Sequence, residues 1–332
     1  MRFCMFGAGA IGSYLGGELS LAGADVTLIS RGLHHESMKK NGVRLRLGNN
    51  EKISFPQCFN DPNDAGIQDY VFITLKAHTS ASVADSLLPL LGPKTTVVTA
   101  QNGVPWWYFY NLEGPWKNYQ LKSVDPQKKQ WEIIKPSRVI GSVIYPAAEI
   151  ISPGIVGIKP HISQNRLPIG ELDGNKSERV SKLSETLIKS GFKAPIRKDI
   201  RSDIWVKLWG NIAFNPISAL TGQTLENIAS DLGTQDIVKK MMLEAQIIAE
   251  KLGVRFNIDV DTRIAGAKAV GHHRTSMLQD LILGRPIEID ALLGAINEIG
   301  DLLEIHTPVI DTVYSLLKNR VKNSSTFQKM NP

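Results

Sequence analysis

Phe3-Cys4-Met5-Phe6-Gly7-Ala8-Gly9-Ala10-Ile11-Gly12 leads from a short apolar run into a turn of regularly spaced glycines. Phe3 to Phe6 reads as a buried parallel strand, since consecutive apolar residues leave no solvent face. Ile11 to Leu21 reads as a helix and Asp25-Val26-Thr27-Leu28-Ile29-Ser30 as a second strand. Strand, glycine loop, helix and strand within about thirty residues is the setting in which this spacing holds a dinucleotide pyrophosphate. Gly7 permits the tight turn, Gly9 lets the backbone approach the phosphates, and Gly12 lets the helix pack on the strand. Gly7, Ala8, Gly9, Ala10, Ile11 and Gly12 then form a cofactor-binding loop at a helix N-terminus, where N–H groups without helical partners favour an anion.

The end of the second strand bears on which dinucleotide is bound. A carboxylate there would accept from a ribose 2′-hydroxyl, but this chain has Ser30-Arg31-Gly32. A guanidinium pairs with a 2′-phosphate in two-pronged fashion, so Arg31 favours NADP; otherwise it is a solvated loop residue. Two more strands, Tyr70–Leu75 and Thr95–Ala100, run into Lys76-Ala77-His78 and Gln101-Asn102-Gly103. Ligands of open parallel sheets bind beyond the carboxyl ends of the strands, which makes Lys76, Gln101 and Asn102 cofactor-rim candidates. For Lys76 the alternative is a solvated charge, and for Asn102-Gly103 a plain turn.

Composition narrows the class. The 332 residues suggest about two domains, and 42% hydrophobic with 21% charged residues describes an ordinary globular chain. A disordered tail, a collagen-like chain and a small stapled secreted domain are excluded. The net charge of +6 and pI near 9.1 fit either nucleic acid or an anionic small molecule. Basic residues are spread along the chain without a zinc motif or an RNP-like strand, which argues against nucleic acid. Cys4 and Cys58 have no metal or framework spacing, so no metal and a reducing, cytoplasmic setting are expected. No apolar run reaches the roughly 20 residues of a membrane span, and glycines interrupt the N-terminal apolar run too early for a signal peptide. The chain is expected to begin, in mature form, at Met1.

From Val104 to Ser137 the pattern changes. Trp106, Trp107, Tyr108, Phe109, Tyr110, Trp116, Tyr119 and Trp131 crowd a segment also rich in Pro, Asn and Lys. It covers the active site, forms a subunit contact or packs on its own domain. Strands resume at Arg138–Tyr145 and a turn-rich set follows through Glu171. Lys176–Ser190 reads as an amphipathic helix and Phe192–Ile196 as a closing strand. Lys198-Asp199-Ile200 reads as a linker, beyond which helices are expected at 234–252, 274–283, 288–303 and 308–321. Within Asp203–Pro216, residues Lys207, Asn211 and Asn215 are spaced four apart, placing an ammonium and two carboxamides on one helix face among apolar neighbours. Asn is a poor mid-helix residue on a solvent face, which favours a polar pocket over a solvated stripe ending at Asn215-Pro216. In Ser276–Asp280 and Gly284–Asp290, Pro286 fits the first turn of a helix, and Glu288 and Asp290 fit its positive N-terminus.

Taken together, the GAGAIG loop, Ser30-Arg31-Gly32, Gln101-Asn102-Gly103, the Lys207…Asn211…Asn215-Pro216 helix and the Ser276-Met277-Leu278-Gln279-Asp280…Glu288-Ile289-Asp290 segment are similar to the ketopantoate reductase family over nearly the whole chain. The resemblance implies an α/β Rossmann domain with a doubly wound parallel sheet over 1–198, including an aromatic insertion at 104–137. An all-α domain like the C-terminal one of 6-phosphogluconate dehydrogenase follows over 199–332, with NADPH and substrate in the cleft. It also implies roles. Lys207 is the general acid for the ketone oxygen, Glu288 orients it, and Asn211, Asn215 and Ser276 hold the substrate. Asn102 and Lys76 border nicotinamide and substrate, and Arg31 takes the 2′-phosphate. The implied reaction is NADPH-dependent reduction of 2-dehydropantoate to pantoate, with a small-molecule partner; a homodimer is one assembly the sequence leaves open. Because the aromatic insertion departs from the family's shorter route, reduction of another 2-keto acid stays open. So does a redox sensor that binds NADPH without turnover, although keeping Lys207, both asparagines and Glu288 argues against it.

Overall fold

The computed structural model describes residues 1–159 and 165–330, with side chains through Lys322. The chain forms two compact units. The first comprises residues 1–101, 105–120 and 125–203, the second 102–104, 121–124 and 204 onward. The division therefore falls at 203/204, where the sequence reading places it at 198. The helix Ile200–Thr221 begins in the first unit, anchored by Ile200 against Gly141 and Gly170, and continues into the second.

Seven strands form the central sheet of the first unit: β1 (Arg2–Phe6), β2 (Asp25–Ile29), β5 (Gln57–Phe59), β6 (Tyr70–Ile73), β7 (Thr96–Thr99), β8 (Val139–Ser142) and β11 (Ile169–Glu171). Their spatial order is β11-β8-β7-β6-β1-β2-β5, parallel throughout except for the antiparallel edge strand β11. The apolar runs of β1, β6, β7 and β8 are buried along almost their whole length, as expected of strands covered on both faces. The strand order reverses at β1, which pairs with β2 on one side and β6 on the other. That is the switch point where the carboxyl ends of neighbouring strands open a crevice. A second sheet, β4-β3-β10-β9, combines β3 (Val43–Leu47), β4 (Asn50–Ser54), β9 (Ala148–Ser152) and β10 (Ile155–Ile158). It packs on the helix Ala10–Leu21, where Gly17 leaves room for Leu45.

Several expectations need correction. Phe192–Ile196 is not a regular strand but two parallel bridges, Arg166↔Lys193 and Ile169↔Ile196. Lys193 N–H donates to Asn165 O, Leu167 N–H to Lys193 O, Ile169 N–H to Pro195 O and Arg197 N–H to Ile169 O. The rung missing from this ladder is the one Pro195 has no N–H to supply. The helix expected from Glu288 begins only at Ile289, so Pro286 lies before it in irregular chain and not in its first turn. Its opening residues, Asp290–Gly294, form a π-turn in which Ala295 N–H reaches back five residues to Asp290 O. The disfavoured alternative in which Asn215-Pro216 ends its helix does not hold, since the helix runs on to Thr221.

The aromatic stretch is largely a packed layer of the first unit. Trp106, Trp107, Tyr108 and Phe109 are buried. Trp107 Nε1 donates to Thr99 Oγ1 on β7 (2.9 Å), and a Cβ at Gly141 of β8 would strike the Trp107 ring. The Arg201 guanidinium, stacked over Trp107, donates to the carbonyls of Tyr108, Tyr110 and Leu172. Asp125 accepts from the N–H groups of Gln130 and Trp131 and pins the far side of the segment. Residues 121–124 instead join the second unit, where Glu298 of the helix Ala295–Leu303 accepts from the N–H groups of Lys122 and Ser123, both at 2.8 Å.

The second unit is helical, with Leu225–Ser230, Leu232–Lys251, Val260–Ala269, Ser276–Ile282, Ala295–Leu303 and Pro308–Met330 following Ile200–Thr221. Side-chain N-caps start four of them: Thr224, Asp231, Asp259 and Thr275 each accept from an N–H of the first turn. Among the described residues no helix is long and apolar enough to cross a membrane.

Candidate active site

In the first unit the glycine loop occupies the switch point. Gly7 has φ +99°, and a Cβ there would lie 2.5 Å from Leu75 Cδ2, so any other residue would be both strained and blocked. A Cβ at Gly12 would lie 2.5 Å from Thr74 Oγ1 and 2.8 Å from Gly7 O, the close approach that lets the helix begin under the loop. Gly9 is different. It is the N-cap of the helix Ala10–Leu21, with φ −80°, and its nearest neighbour to an added Cβ is Gly7 O at 4.0 Å. The fold itself does not require glycine there, whereas a ligand lying against the backbone would. The cradle therefore fits a dinucleotide pyrophosphate.

The loop is held from behind. Gly7 and Ala8 N–H both donate to Ile29 O, and Thr74 Oγ1 donates to Gly7 O at 2.8 Å. Ser13 Oγ donates to Ala8 O (3.0 Å) and lies 3.0 Å from His34 Nε2. Gly154 N–H donates to His34 Nδ1, which places the imidazole proton on Nε2, facing Ser13. Burial lowers the His34 pKa and keeps it in this neutral form. Sequence reasoning missed both Thr74 and His34. Thr74 carries a readable signal, a hydroxyl at the carboxyl end of the strand beside β1; His34 has none.

Arg31 stands exposed at the start of the helix Gly32–Asn41, and its guanidinium makes no hydrogen bond or ion pair among the described residues. Lys76 is half-buried and caps the short helix Ala77–Ser80 with its carbonyl. Gln101 Nε2 donates to Leu75 O (2.8 Å), tying together the ends of β6 and β7.

In the second unit, four-residue spacing turns about 40° around a helix, so Lys207, Asn211 and Asn215 share one stripe of Ile200–Thr221. Trp205 and Trp209 lie on the opposite side, fully buried, with Trp209 Nε1 donating to Met242 O. That apolar side fixes the rotation of the helix and hence the direction of the polar stripe. The carboxamides of Asn211 and Asn215 make no hydrogen bond among the described residues, although Asn215 is only 8% exposed. A nearly buried amide without a partner is costly, and a polar ligand would satisfy it.

Lys207 Nζ donates to Asn102 Oδ1 at 2.7 Å. Burial lowers its pKa to about 8, and the Glu288 carboxylate, which raises it, offsets part of that effect. A fall from 10.5 to about 8 is roughly 3 kcal/mol in favour of the neutral amine. An ammonium so disposed gives up its proton readily near neutral pH, as a general acid must. Asn102 is on the Gly103 turn, which is seated against Ala291: Gly103 has φ +89°, a Cβ there would overlap Ala291 O, and Val104 N–H donates to that same oxygen at 2.9 Å. Asn102, Lys207 and Glu288 are thus brought together from three distant parts of the sequence. Ser276 is exposed at the first position of its helix and makes no hydrogen bond to them.

Residues 3–174 match the model of the ketopantoate reductase PanE/ApbA family, and residues 199–321 match that of its C-terminal region. A curated 2-dehydropantoate 2-reductase from Mesorhizobium japonicum is 51% identical over 319 residues, covering 96% of this chain and 97% of that protein. The crystal structure of a putative ketopantoate reductase from Ralstonia solanacearum superimposes with a TM-score of 0.91 at 35% identity, covering 97% and 98% of the two chains. A D-mandelate dehydrogenase solved with NADH and anilino(oxo)acetate shares the fold, with a TM-score of 0.82 at 20% identity over 97% and 99% of the chains. An α/β unit with a mainly parallel sheet, a helical second unit and these matches over nearly the whole length lead to one conclusion: the chain belongs to the ketopantoate reductase family.

Proposed function

We propose that this chain is an NADPH-dependent 2-dehydropantoate 2-reductase, reducing ketopantoate to pantoate in pantothenate and coenzyme A biosynthesis. The observation that carries the reading is the half-buried Lys207 ammonium, held by Asn102 and electrostatically linked to Glu288, on a helix stripe with two carboxamides that make no hydrogen bond among the described residues. The Mesorhizobium relative, named for this reaction, supports the substrate, and the NADH-bound dehydrogenase supports a pyridine nucleotide.

When bound, NADPH supplies the hydride that reaches the carbonyl carbon of the 2-keto acid. The carbonyl electron pair moves onto oxygen as that bond forms, and Lys207 gives this oxygen a proton, leaving an alcohol and a neutral amine. Before transfer the ammonium also stabilises the developing negative charge. Glu288 keeps Lys207 protonated at neutral pH, and Asn102 fixes its direction. Asn211, Asn215 and Ser276 hydrogen-bond the substrate's hydroxyl and carboxylate. The Gly7–Gly12 loop would receive the pyrophosphate on its Ala10 and Ile11 N–H groups, the Ala8 N–H being taken by Ile29 O; Arg31 would hold the 2′-phosphate, and Lys76 with Gln101 the remainder of the cofactor's rim. The positive charges of Arg31, Lys76 and Lys207 suit a cofactor and a substrate that are both anions.

The test is a panel of 2-keto acids assayed for NADPH oxidation. Ketopantoate is expected to give the highest kcat/KM. A higher value for an aryl or smaller 2-keto acid would reassign the substrate, and NADPH binding with no turnover on any member would make the chain a sensor.

A further inference from the structure

Asp290 follows the proposed proton-handling carboxylate by two residues, yet its own carboxylate faces away toward the last helix. Its Oδ1 accepts from Tyr314 Oη at 2.7 Å, and Lys318 Nζ lies 2.8 and 3.0 Å from its two oxygens. Burial and the Asp290 carboxylate raise the Tyr314 pKa, so the phenol stays protonated and donates. Asp290 also opens the π-turn, accepting from Ala295 N–H through its backbone carbonyl. Gly294 leaves space for this arrangement, since a Cβ there would lie 3.3 Å from Asp290 Oδ1 and 3.5 Å from the Tyr314 ring. A π-turn is less favourable than an α-turn and persists where something fixes it. Here the side chain and the backbone of one residue are both held.

What the π-turn offers is a carbonyl pointing sideways. Ala291 O accepts Val104 N–H and abuts Gly103, whose positive φ and missing side chain allow the turn to sit against it. One residue before Gly103 is Asn102, the acceptor for Lys207. The same helix binds the other returning segment one to two turns further on, through Glu298 to Lys122 and Ser123. From these contacts we propose that Asp290 and Tyr314 are positioning residues for the reaction. They lock the π-turn so that Ala291 O seats the Asn102–Val104 turn, which aims the Asn102 carboxamide at the Lys207 ammonium. The inference rests on Lys207 being the proton donor; neither Asp290 nor Tyr314 touches the reacting atoms.

Tyr314→Phe removes one oxygen at the partly exposed edge of a helix, which makes it the mildest way to loosen the clamp. It is expected to lower kcat about tenfold, the scale of a sub-ångström misplacement, while KM for NADPH stays within about twofold. Asp290→Ala should lower kcat at least as far, and Asp290→Asn, which still accepts the phenol, should keep most of the rate. Exchange of the Val104 amide should quicken in Tyr314→Phe. The decisive measurement is a double-mutant cycle with Asn102→Ala, in whose background Tyr314→Phe should have little further effect on kcat. An equal fall in both backgrounds would overturn the inference, as would an unchanged kcat in Tyr314→Phe and Asp290→Ala. If Lys207→Ala keeps the parent's kcat, Lys207 is not the proton donor and the reading beneath this inference fails; if its kcat falls as expected while the clamp variants are unimpaired, only the positioning role fails.

Discussion

In the proposed function the glycine loop and the Lys207 cluster both handle negative charge, but they are assembled in opposite ways. The loop is nearly self-contained: Gly7, Gly9 and Gly12 shape their own backbone, and most of their support comes from β1, β2 and β6. The cluster instead joins Asn102, Lys207, Glu288 and Ala291 across almost two hundred residues, through the Lys207–Asn102 hydrogen bond, the Glu288 charge and the backbone of the Gly103 turn against Ala291 O. A locally encoded site should fail through backbone shape. A site assembled at long range should fail through direction and protonation, with its fold intact.

The largest effect expected from that contrast is at Lys207. Lys207→Ala should lower turnover about a hundredfold to ten-thousandfold, the usual contribution of a positioned proton donor. Titration of the dinucleotide should show unchanged binding, since the glycine loop is untouched. A variant that only raises KM would remove Lys207 as the acid.

Arg31 comes next. A guanidinium contact to a phosphate is a charge-assisted hydrogen bond of roughly 1.5–3 kcal/mol. Arg31→Asp should therefore cut kcat/KM with NADPH by about ten- to a hundredfold relative to NADH. An equal loss with both cofactors would show that Arg31 does not read the 2′-phosphate.

Within the loop the comparison can be sharpened by two methyl groups. Gly12→Ala places a Cβ against Thr74 Oγ1 and Gly7 O, an overpacking that should cost about 1–3 kcal/mol of stability and weaken dinucleotide binding with it. Gly9→Ala meets no protein atom nearer than 4.0 Å, at a φ that alanine adopts freely. Its Tm should hold while dinucleotide affinity falls. If Gly9→Ala binds as tightly as the parent, the phosphates do not approach the loop at that point.

These differences follow how far each feature could be read along the chain. The loop was legible because every requirement falls within six consecutive residues, and the buried strands because an unbroken apolar run is itself a signal. The polar stripe of Lys207, Asn211 and Asn215 was legible through helical periodicity. By contrast, β3 and β4 went unread although Val43, Leu45 and Leu47 alternate with Arg44 and Arg46. The broken pairing at 192–196 turns on one missing N–H at Pro195. Nothing near Asp290 announces a π-turn, because what fixes it is Tyr314 and Lys318, more than twenty residues away. For the aromatic stretch composition left three readings open, and the structure favours packing on its own unit: Trp106, Trp107, Tyr108 and Phe109 are buried, Trp107 against Thr99, Gly141 and Arg201.

The finest distinction lies in the pH dependence of the Lys207 cluster. Burial lowers the Lys207 pKa to about 8, with Glu288 opposing that fall. Reduction uses the protonated amine, so kcat/KM should be level below that value and decline as pH rises through it. Oxidation of pantoate uses the neutral amine as a base, so its rate should rise through the same value. Glu288→Gln removes the negative charge that favours the ammonium, which moves the Lys207 pKa further down. The alkaline limb of reduction must then shift to lower pH, and the rising limb of oxidation must shift with it. A glycine-loop variant such as Gly9→Ala should leave both limbs where they are, because it acts on binding and not on the proton. Were the two limbs to stay in place in Glu288→Gln, the carboxylate would have no part in setting the proton affinity of Lys207.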